Sequence, residues 1–479
     1  MKNLMIILTV VFAASIVQAQ NFDWGIVSKG EQVDEGKAVC MDADGNSYVT
    51  GSFSSPTFAL GEFSLKNSVP IPTNPLLNDM FVAKIDKSGK VVWAIQSNGA
   101  GDEKGVDIAC DKTGHIAVVG VFKGKSATFG TTELINPASN SFSTFILRIN
   151  ALGKIQWAQL AGGKTTTEVF SVSTAPNGEI YVTGSFSHGV TFGGYEYKSK
   201  SGNNSSVFVA KYNSNGDLKW FEQIYGKSFG GQNSTQVGKA IFATDDSKFV
   251  YVAGWFRGRV TFGDSEIASN SASARSFNLN IFITKYDSDG RGIWTKSIGQ
   301  NPINASANPE VADIVADNSG SVYLTGFFGG ELLFGEETMR GFQVKNGWNY
   351  DIFLAKYDAD GKHLWHTSAG GKDSDRAFSM ALTPKGVMLT GSFTSLQGKF
   401  GDVAIPGMFS SAFTANYDAN GKCLWAIAPK AGLPTQGNGI ASDGKNTIVT
   451  GQFLGNAATF GKIALKGAGS GNFFAVNIK

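Results

Sequence analysis

Short segments in which apolar and polar positions alternate recur along the whole chain, separated by glycine-rich turns. In Tyr48-Val-Thr-Gly-Ser-Phe53, one face of an extended segment carries Tyr48, Thr50 and Ser52, and the other Val49, Gly51 and Phe53. Both faces hold apolar residues, so the strand is predicted to be covered on both sides. The segment belongs to a unit that returns with a period of about 65 residues. Each unit predicts a small-residue strand, a turn, a strand ending Gly-x-Phe, a long connection, a strand centred on Phe, a tight turn and a strand carrying Trp. The Gly-x-Phe anchors are Gly51, Gly120, Gly184, Gly254, Gly326, Gly391 and Gly451, and they number the repeats one to seven. The third strands centre on Phe81, Phe145, Phe208, Phe282, Phe353, Phe413 and Phe474; the fourth carry Trp24, Trp93, Trp157, Trp220, Trp294, Trp365 and Trp425. A Phe-Gly step such as Phe334-Gly335 follows most anchors.

The ends of this pattern are complementary. Repeat seven reaches Lys479 after its third strand, and Phe22-Asp-Trp-Gly-Ile-Val27 is a Trp strand with no repeat before it. The expected fold is therefore all-β: a seven-bladed β-propeller of four-stranded antiparallel blades, with the last blade closed by the N-terminal strand. Pairing the two ends removes two exposed sheet edges. The predicted organisation is a signal peptide at 1–19 and a single propeller at 20–479. Its blades lie near 31–99, 100–162, 163–230, 231–301, 302–370, 371–431 and 432–479 plus 20–30. Anchor glycines are expected to leave room for a large side chain from the adjacent blade, and Phe and Trp to fill the wedge between blades.

Composition narrows the setting. Charged residues make up 17% and hydrophobic ones 42%, so a large core can be buried. Net charge is +2 and no basic run tracks phosphates, which argues against a nucleic-acid partner. Lys2, the apolar stretch Leu4 to Val17 and Val17-Gln18-Ala19 read as an export signal, with Gln20 as the mature N-terminus. No later segment is long and apolar enough to span a membrane. A secreted monomer is expected, in the periplasm, on the outer surface or outside the cell. Three cysteines cannot build a disulfide framework. Cys40 and Cys110 stand in the first strands of adjacent repeats, offset by one residue, which predicts opposite faces and buried thiols.

The Tyr-Val-Thr-Gly-Ser-Phe strand, the Phe-Val-Ala-Lys strand and the Asp-x-x-Gly-Lys-x-x-Trp turn resemble the bacterial SBBP (seven-bladed β-propeller) repeat family, in the form seen in secreted proteins of Bacteroidetes. The resemblance covers essentially all of the chain after residue 19. It implies a propeller fold and an extracytoplasmic setting. It implies no common activity, so no catalytic residue transfers with it.

Antiparallel blades place the tight first and third turns on one face and the long second connections, with the blade-to-blade links, on the other. The loop-rich face is the expected binding surface. Its aromatic candidates are Trp348 and Tyr350 in the long connection of repeat five, with Trp255 and Phe327 at the x of Gly-x-Phe. The last two stand in strands, where packing between blades competes with ligand binding. The links carry Asp34, Glu35, Asp102, Glu103, Glu168, Glu310, Asp373, Asp375 and Arg376, whose ends should gather near the mouth of the axial channel. Asp86, Asp287, Asp358 and Asp418 head Asp-x-x-Gly turns and lack the spacing of a calcium loop. His363 and His366 are three apart on a strand, which predicts opposite faces and no shared metal. No nucleophile elbow or P-loop is present, and no cofactor is implied. The expected function is a secreted, non-catalytic binding or scaffolding propeller whose loop face takes a glycan, a peptide or a surface protein. The alternatives are a polysaccharide-directed hydrolase or lyase using acids such as Asp102, Asp373 and Asp375, and a structural module of a cell-envelope complex.

Overall fold

The computed structural model describes residues 20–69, 77–202, 204–227, 234–269, 271–273, 276–300, 309–342, 349–407 and 409–479. The expected signal peptide at 1–19 and Trp348 lie outside the described residues. Among the described residues all regular structure is strand. In repeat one, Asp34–Met41, Ser47–Phe53, Asp79–Ile85 and Val91–Gln96 form an antiparallel sheet in chain order. The same order recurs from the inner strands Asp102–Cys110, Thr167–Thr174, Thr235–Ala243, Glu310–Ala316 and Asp375–Thr383. The sheet that begins at Thr435–Ser442 takes its outer strand from the other end of the chain, where Phe22–Val27 pairs antiparallel with Gly471–Ile478. Inner strands of successive repeats lie against one another, and Asp34–Met41 also packs on Thr435–Ser442. The result is a propeller-like stacking of sheets about an axis. The core sits between sheets: Val49, Phe53 and Phe81 of repeat one pack with Ile448, Phe473 and Ala475 of repeat seven. Each fully buried Phe in such an interface contributes about 1.5–3 kcal/mol.

Every inner strand carries a one-residue bulge at the same place. The register slips between Gly36 and Ala38, Gly105 and Asp107, Val169 and Ser171, Gly238 and Ala240, Val311 and Asp313, Ala377 and Ser379, and Gly437 and Gly439. The extra residues are Lys37, Val106, Phe170, Lys239, Ala312, Phe378 and Asn438. This bulge explains the Gly-x-Phe anchor. A Cβ on Gly51 would lie 1.9 Å from the Glu35 carbonyl oxygen, and one on Gly391 would lie 2.0 Å from that of Arg376. The anchor thus yields to the bulged strand of its own sheet, not to a neighbour's side chain as expected. Room for the neighbour is made one strand inward, where a Cβ on Gly36 would meet Thr450 Oγ1 at 2.3 Å and one on Gly105 would meet Thr50 Oγ1 at 2.2 Å.

A second bulge precedes the Trp of each outer strand, for instance at Leu364, where Tyr357 faces His363 but Lys356 faces Trp365. The Trp side chains pack at the outer margin of the wedge between sheets, where Trp425 is buried in the core and the other six lie against it. Six of them lie half-buried over the third turn of the following repeat, and the indole N–H donates to a carbonyl there. Trp24 reaches Lys87, Trp93 reaches Ala151, Trp157 reaches Ser214, Trp220 reaches Ser288, Trp294 reaches Ala359 and Trp365 reaches Ala419. The turn glycine must be bare for this. Gly290 has φ +86° and a Cβ there would sit 3.0 Å from the Trp220 ring. The turn aspartates behave as expected of turns: Asp358 Oδ1 accepts from the N–H groups of Asp360 and Lys362. Trp425 instead lies buried against repeat seven, and with the Gln20 amide turned so that its oxygen faces the indole, the Trp425 N–H donates to that oxygen at 3.2 Å.

Two further expectations change. The long second connections contain ordered hairpins built around the Phe-Gly step, such as Glu331–Phe334 with Glu337–Arg340. In three repeats the hairpin adds to the outer strand of the preceding sheet and so covers its edge. Cys40 and Cys110 join one core cluster, remain thiols, and each is half-buried. Burial, and then the neighbouring Cys110 thiol, push the Cys40 thiol up. Adjacent sheets pack face to face, so the one-residue offset that separates faces within a sheet brings these two together.

Candidate functional site

The bulges decide what lines the axis. All seven extra residues, with Asp107, Ser171, Glu310, Asp313, Phe327, Tyr350, Arg376 and Ser379, border one central cavity of ≈ 490 Å³. Inner strands begin on the loop side, so Arg376, second in Asp375–Thr383, stands at the loop-side mouth. Phe327 at the end of Val322–Phe328 and Tyr350 just before Asp351–Tyr357 reach the same level. The Arg376 guanidinium carbon lies 4.9 Å from the Phe327 ring centroid and 4.8 Å from that of Tyr350, and the rings meet edge-on at 5.2 Å. Arg376 Nε is buried and, among the described residues, has no hydrogen-bond partner. A cation held between two aromatic rings is oriented without being neutralised.

Other charges around the axis are partly paired. Lys239 Nζ sits 4.4 Å from the Phe170 ring centroid and 3.9 Å from Glu310 Oε2. Lys37 Nζ is 3.4 Å from Glu35 Oε1, and Asn438 Nδ2 donates to that same oxygen at 2.9 Å. Two acids serve the fold. Asp107 Oδ2 accepts from the Val172 N–H of the next repeat, and Asp313 Oδ2 from that of Met380. Ser171 and Ser379 accept in the same way from Ile241 and Ile440. These contacts satisfy inner-strand N–H groups that no fifth strand could reach. Burial pushes Asp107 up to about 6 and Asp313 up to about 7, in spite of these hydrogen bonds.

Of the residues singled out in the sequence, Arg376, Phe327 and Tyr350 come together. Phe327 is half-buried against the cavity, not part of the core between sheets. Trp255 occupies the same register place one repeat earlier, half-buried, and its indole N–H has no partner among the described residues. Asp102 is held away from the cavity by Asn78 and by Lys104 Nζ at 2.9 Å. Asp373 is exposed on its link. The remaining link acids divide by depth. Glu310 borders the cavity and Glu35 bonds the lining residues Lys37 and Asn438; Glu168 is exposed, whereas Asp34, Glu103 and Asp375 are fully buried. Burial and the nearby Asp79 carboxyl hold Glu103 well above the usual carboxylate range. Burial likewise pushes Asp351, which feels the charge of Asp375, up to about 8. Two carboxyls sharing a buried site keep one proton between them. Lys37, Phe170, Lys239 and Phe378 went unnoticed in the sequence. Their signal is positional: each follows the residue that pairs with an anchor glycine.

No family model matches the chain. It is 22% identical over 431 residues to an uncharacterized WD repeat-containing protein of Acanthamoeba polyphaga mimivirus, across 78% of this chain and 31% of that protein. The chain therefore spans about a third of that relative's length. Among solved structures, the periplasmic gluconolactonase of Pseudomonas aeruginosa aligns at TM-score 0.41 and 11% identity, covering 84% of this chain and 96% of that one. A protein of unknown function from Dyadobacter fermentans aligns at TM-score 0.37 and 10% identity, over 95% and 98% of the two chains. A putative 6-phosphogluconolactonase from Bacteroides fragilis aligns at TM-score 0.34 and 11% identity, over 83% and 93%. What this chain has of its own is an all-β, propeller-like array of repeats around a cavity lined by bulged residues.

Proposed function

We propose that the chain is a seven-bladed β-propeller of SBBP type, closed at residues 20–30 and exported, that binds an acidic glycan at the loop-side mouth of its axial channel without altering it chemically. Blade count and closure rest on the seven bulged inner strands in mutual contact, on the pairing of Phe22–Val27 with Gly471–Ile478, and on the turn-docked Trp24. Export rests on the residues around Lys2 and Ala19, and the SBBP reading on the repeat motifs.

The observation that carries the ligand class is Arg376 between Phe327 and Tyr350 at the cavity rim. Aromatic faces suit the apolar faces of sugar rings, and an oriented guanidinium suits a carboxylate. A non-catalytic role is favoured because Asp102, Asp373 and Asp375 do not converge: the first is paired, the second exposed and the third buried. Binding of uronic-acid oligosaccharides against neutral ones of equal length tests the reading. Arg376→Ala should weaken the acidic ligands at least about tenfold, the range of one charged hydrogen-bonded contact. Equal binding of neutral and acidic glycans, or an unaffected Arg376→Ala protein, would overturn it. Glycan turnover lost in Asp373→Asn would favour the hydrolase or lyase reading instead.

A further inference from the structure

The outer-strand bulge has a second consequence, in repeat five. With Leu364 as the extra residue, His363 and His366 come to the same face, contrary to the expectation from their spacing. Their rings stack at 5.1 Å between centroids, and His366 Nδ1 lies 3.2 Å from His363 Nε2. Glu337, on the hairpin strand Glu337–Arg340 that continues the sheet of repeat four, completes the group. Its Oε2 is 3.7 Å from His366 Nδ1 and 3.8 Å from His363 Nδ1. One donor atom from each of the three residues can be chosen so that all lie within 4.8 Å of one another.

We propose that Glu337, His363 and His366 form a binding site for a divalent late transition cation of the Zn²⁺ class. Two nitrogens bound to one tetrahedral zinc at about 2.0–2.1 Å stand about 3.3 Å apart, close to the spacing already present between the imidazoles. Phe334 holds both rings in place, stacked on His366 at 4.6 Å and tilted against His363 at 5.1 Å, while Tyr357 meets His363 edge-on. The donor set is two imidazoles and one carboxylate, which selects zinc, copper or nickel over calcium or magnesium. Glu337 is largely exposed, so the fourth coordination position faces solvent.

The other repeats supply an internal comparison. The places of Glu337, His363 and His366 hold Phe63, Val91 and Ala94 in repeat one, and Val403, Cys423 and Ala426 in repeat six. No other repeat has an imidazole or a carboxylate at any of the three places. Repeat five alone substitutes three metal donors at once, two of them half-buried. A bound cation would tie the hairpin belonging to one sheet to the outer strand of the next, at the rim of the array and away from the axial cavity.

Titration of the intact protein with Zn²⁺ by calorimetry, after chelation and dialysis, tests the site. One zinc per chain is expected, with a thermal midpoint that rises on loading and falls back with EDTA. His366→Gln should abolish this binding, and the exposed Glu337→Gln, which leaves the core untouched, should weaken it at least about tenfold. Loading with Cu²⁺ should give an electron paramagnetic resonance spectrum with two coupled imidazole nitrogens in the wild type and one in His366→Gln. Stoichiometric zinc binding that survives both substitutions would overturn the assignment, as would the absence of binding at about a hundredfold excess of zinc. A copper spectrum unchanged by His366→Gln would do the same.

Discussion

Each repeat contains two bulges, one on its inner strand and one on its outer strand, and they are used in opposite ways. The outer bulge always precedes a Trp, and in six repeats that Trp docks on the next turn by one hydrogen bond and one bare glycine. The inner bulge is as regular in position, but its extra residue changes from Lys37 to Val106, Phe170, Lys239, Ala312, Phe378 and Asn438. A fixed residue at a fixed distortion holds neighbouring repeats together. Varied residues at a fixed distortion give the axis its chemistry while the backbone stays the same. The turn side of the array is therefore uniform from repeat to repeat, whereas the axis is chemically varied, which suits it to the binding role proposed above.

The largest test of this division is at the outer strand supplied by the N-terminus. Removing Phe22–Val27 would leave Gly471–Ile478 as an unpaired edge and take Trp24 off the turn at Lys87. The thermal midpoint should fall by several degrees, a loss of several kcal/mol, and a peptide spanning residues 20–30 added in trans should restore part of it. An unchanged midpoint would show that this strand closes nothing.

A single methyl group separates the two sides more finely. Gly391→Ala would place a Cβ 2.0 Å from the Arg376 carbonyl oxygen, whereas around Gly292, on an outer strand, nothing lies within 4 Å. The first substitution should cost about 1–3 kcal/mol, shift Arg376 and weaken glycan binding; the second should leave binding unchanged. Denaturant midpoints and binding isotherms of both variants check this together. Equal behaviour would mean that the anchor glycine does not set the position of Arg376.

Much of this layout could be read from residues. The period, the strand order and the role of the N-terminal strand follow from Gly-x-Phe and Trp spacings, because alternation survives in any strand covered on both faces. Arg376 could be named because the links lead to the axis, Tyr350 because it ends a long connection, and Phe327 because an aromatic stands at the x of its Gly-x-Phe. Other features were hidden by the same regularity. A strict period of two places His363 and His366 on opposite faces, yet one extra residue, Leu364, reverses that. It also assigns Phe170 and Lys239 no special place. Nor can alternation within a strand say which faces of two different sheets meet, and so it separates Cys40 from Cys110, which share one core cluster. Bulges and sheet-to-sheet packing are long-range outcomes, visible in one repeat only once another lies against it.

The smallest expected effect concerns three buried acids, of which Asp107 and Asp313 join inner strands and Asp351 holds the Phe342 N–H. Asp107, Asp313 and Asp351 have folded pKa values near 6, 7 and 8, above the ordinary carboxylate value. The unfolded chain loses these protons first, so folding is favoured at low pH, and the benefit disappears as pH rises through the folded values. The thermal midpoint should be a few degrees higher at about pH 5 than at about pH 8.5, by proton linkage alone. Asp313→Asn keeps an oxygen for the Met380 N–H and cannot ionise, so it should narrow that gap while Asp107 and Asp351 preserve the rest. A midpoint that rises from the lower pH to the higher would mean that these carboxylates meet water in the folded protein. The inner strands would then be held together by packing of their bulged side chains, and the axis would be as much a part of the cohesion as the turn side.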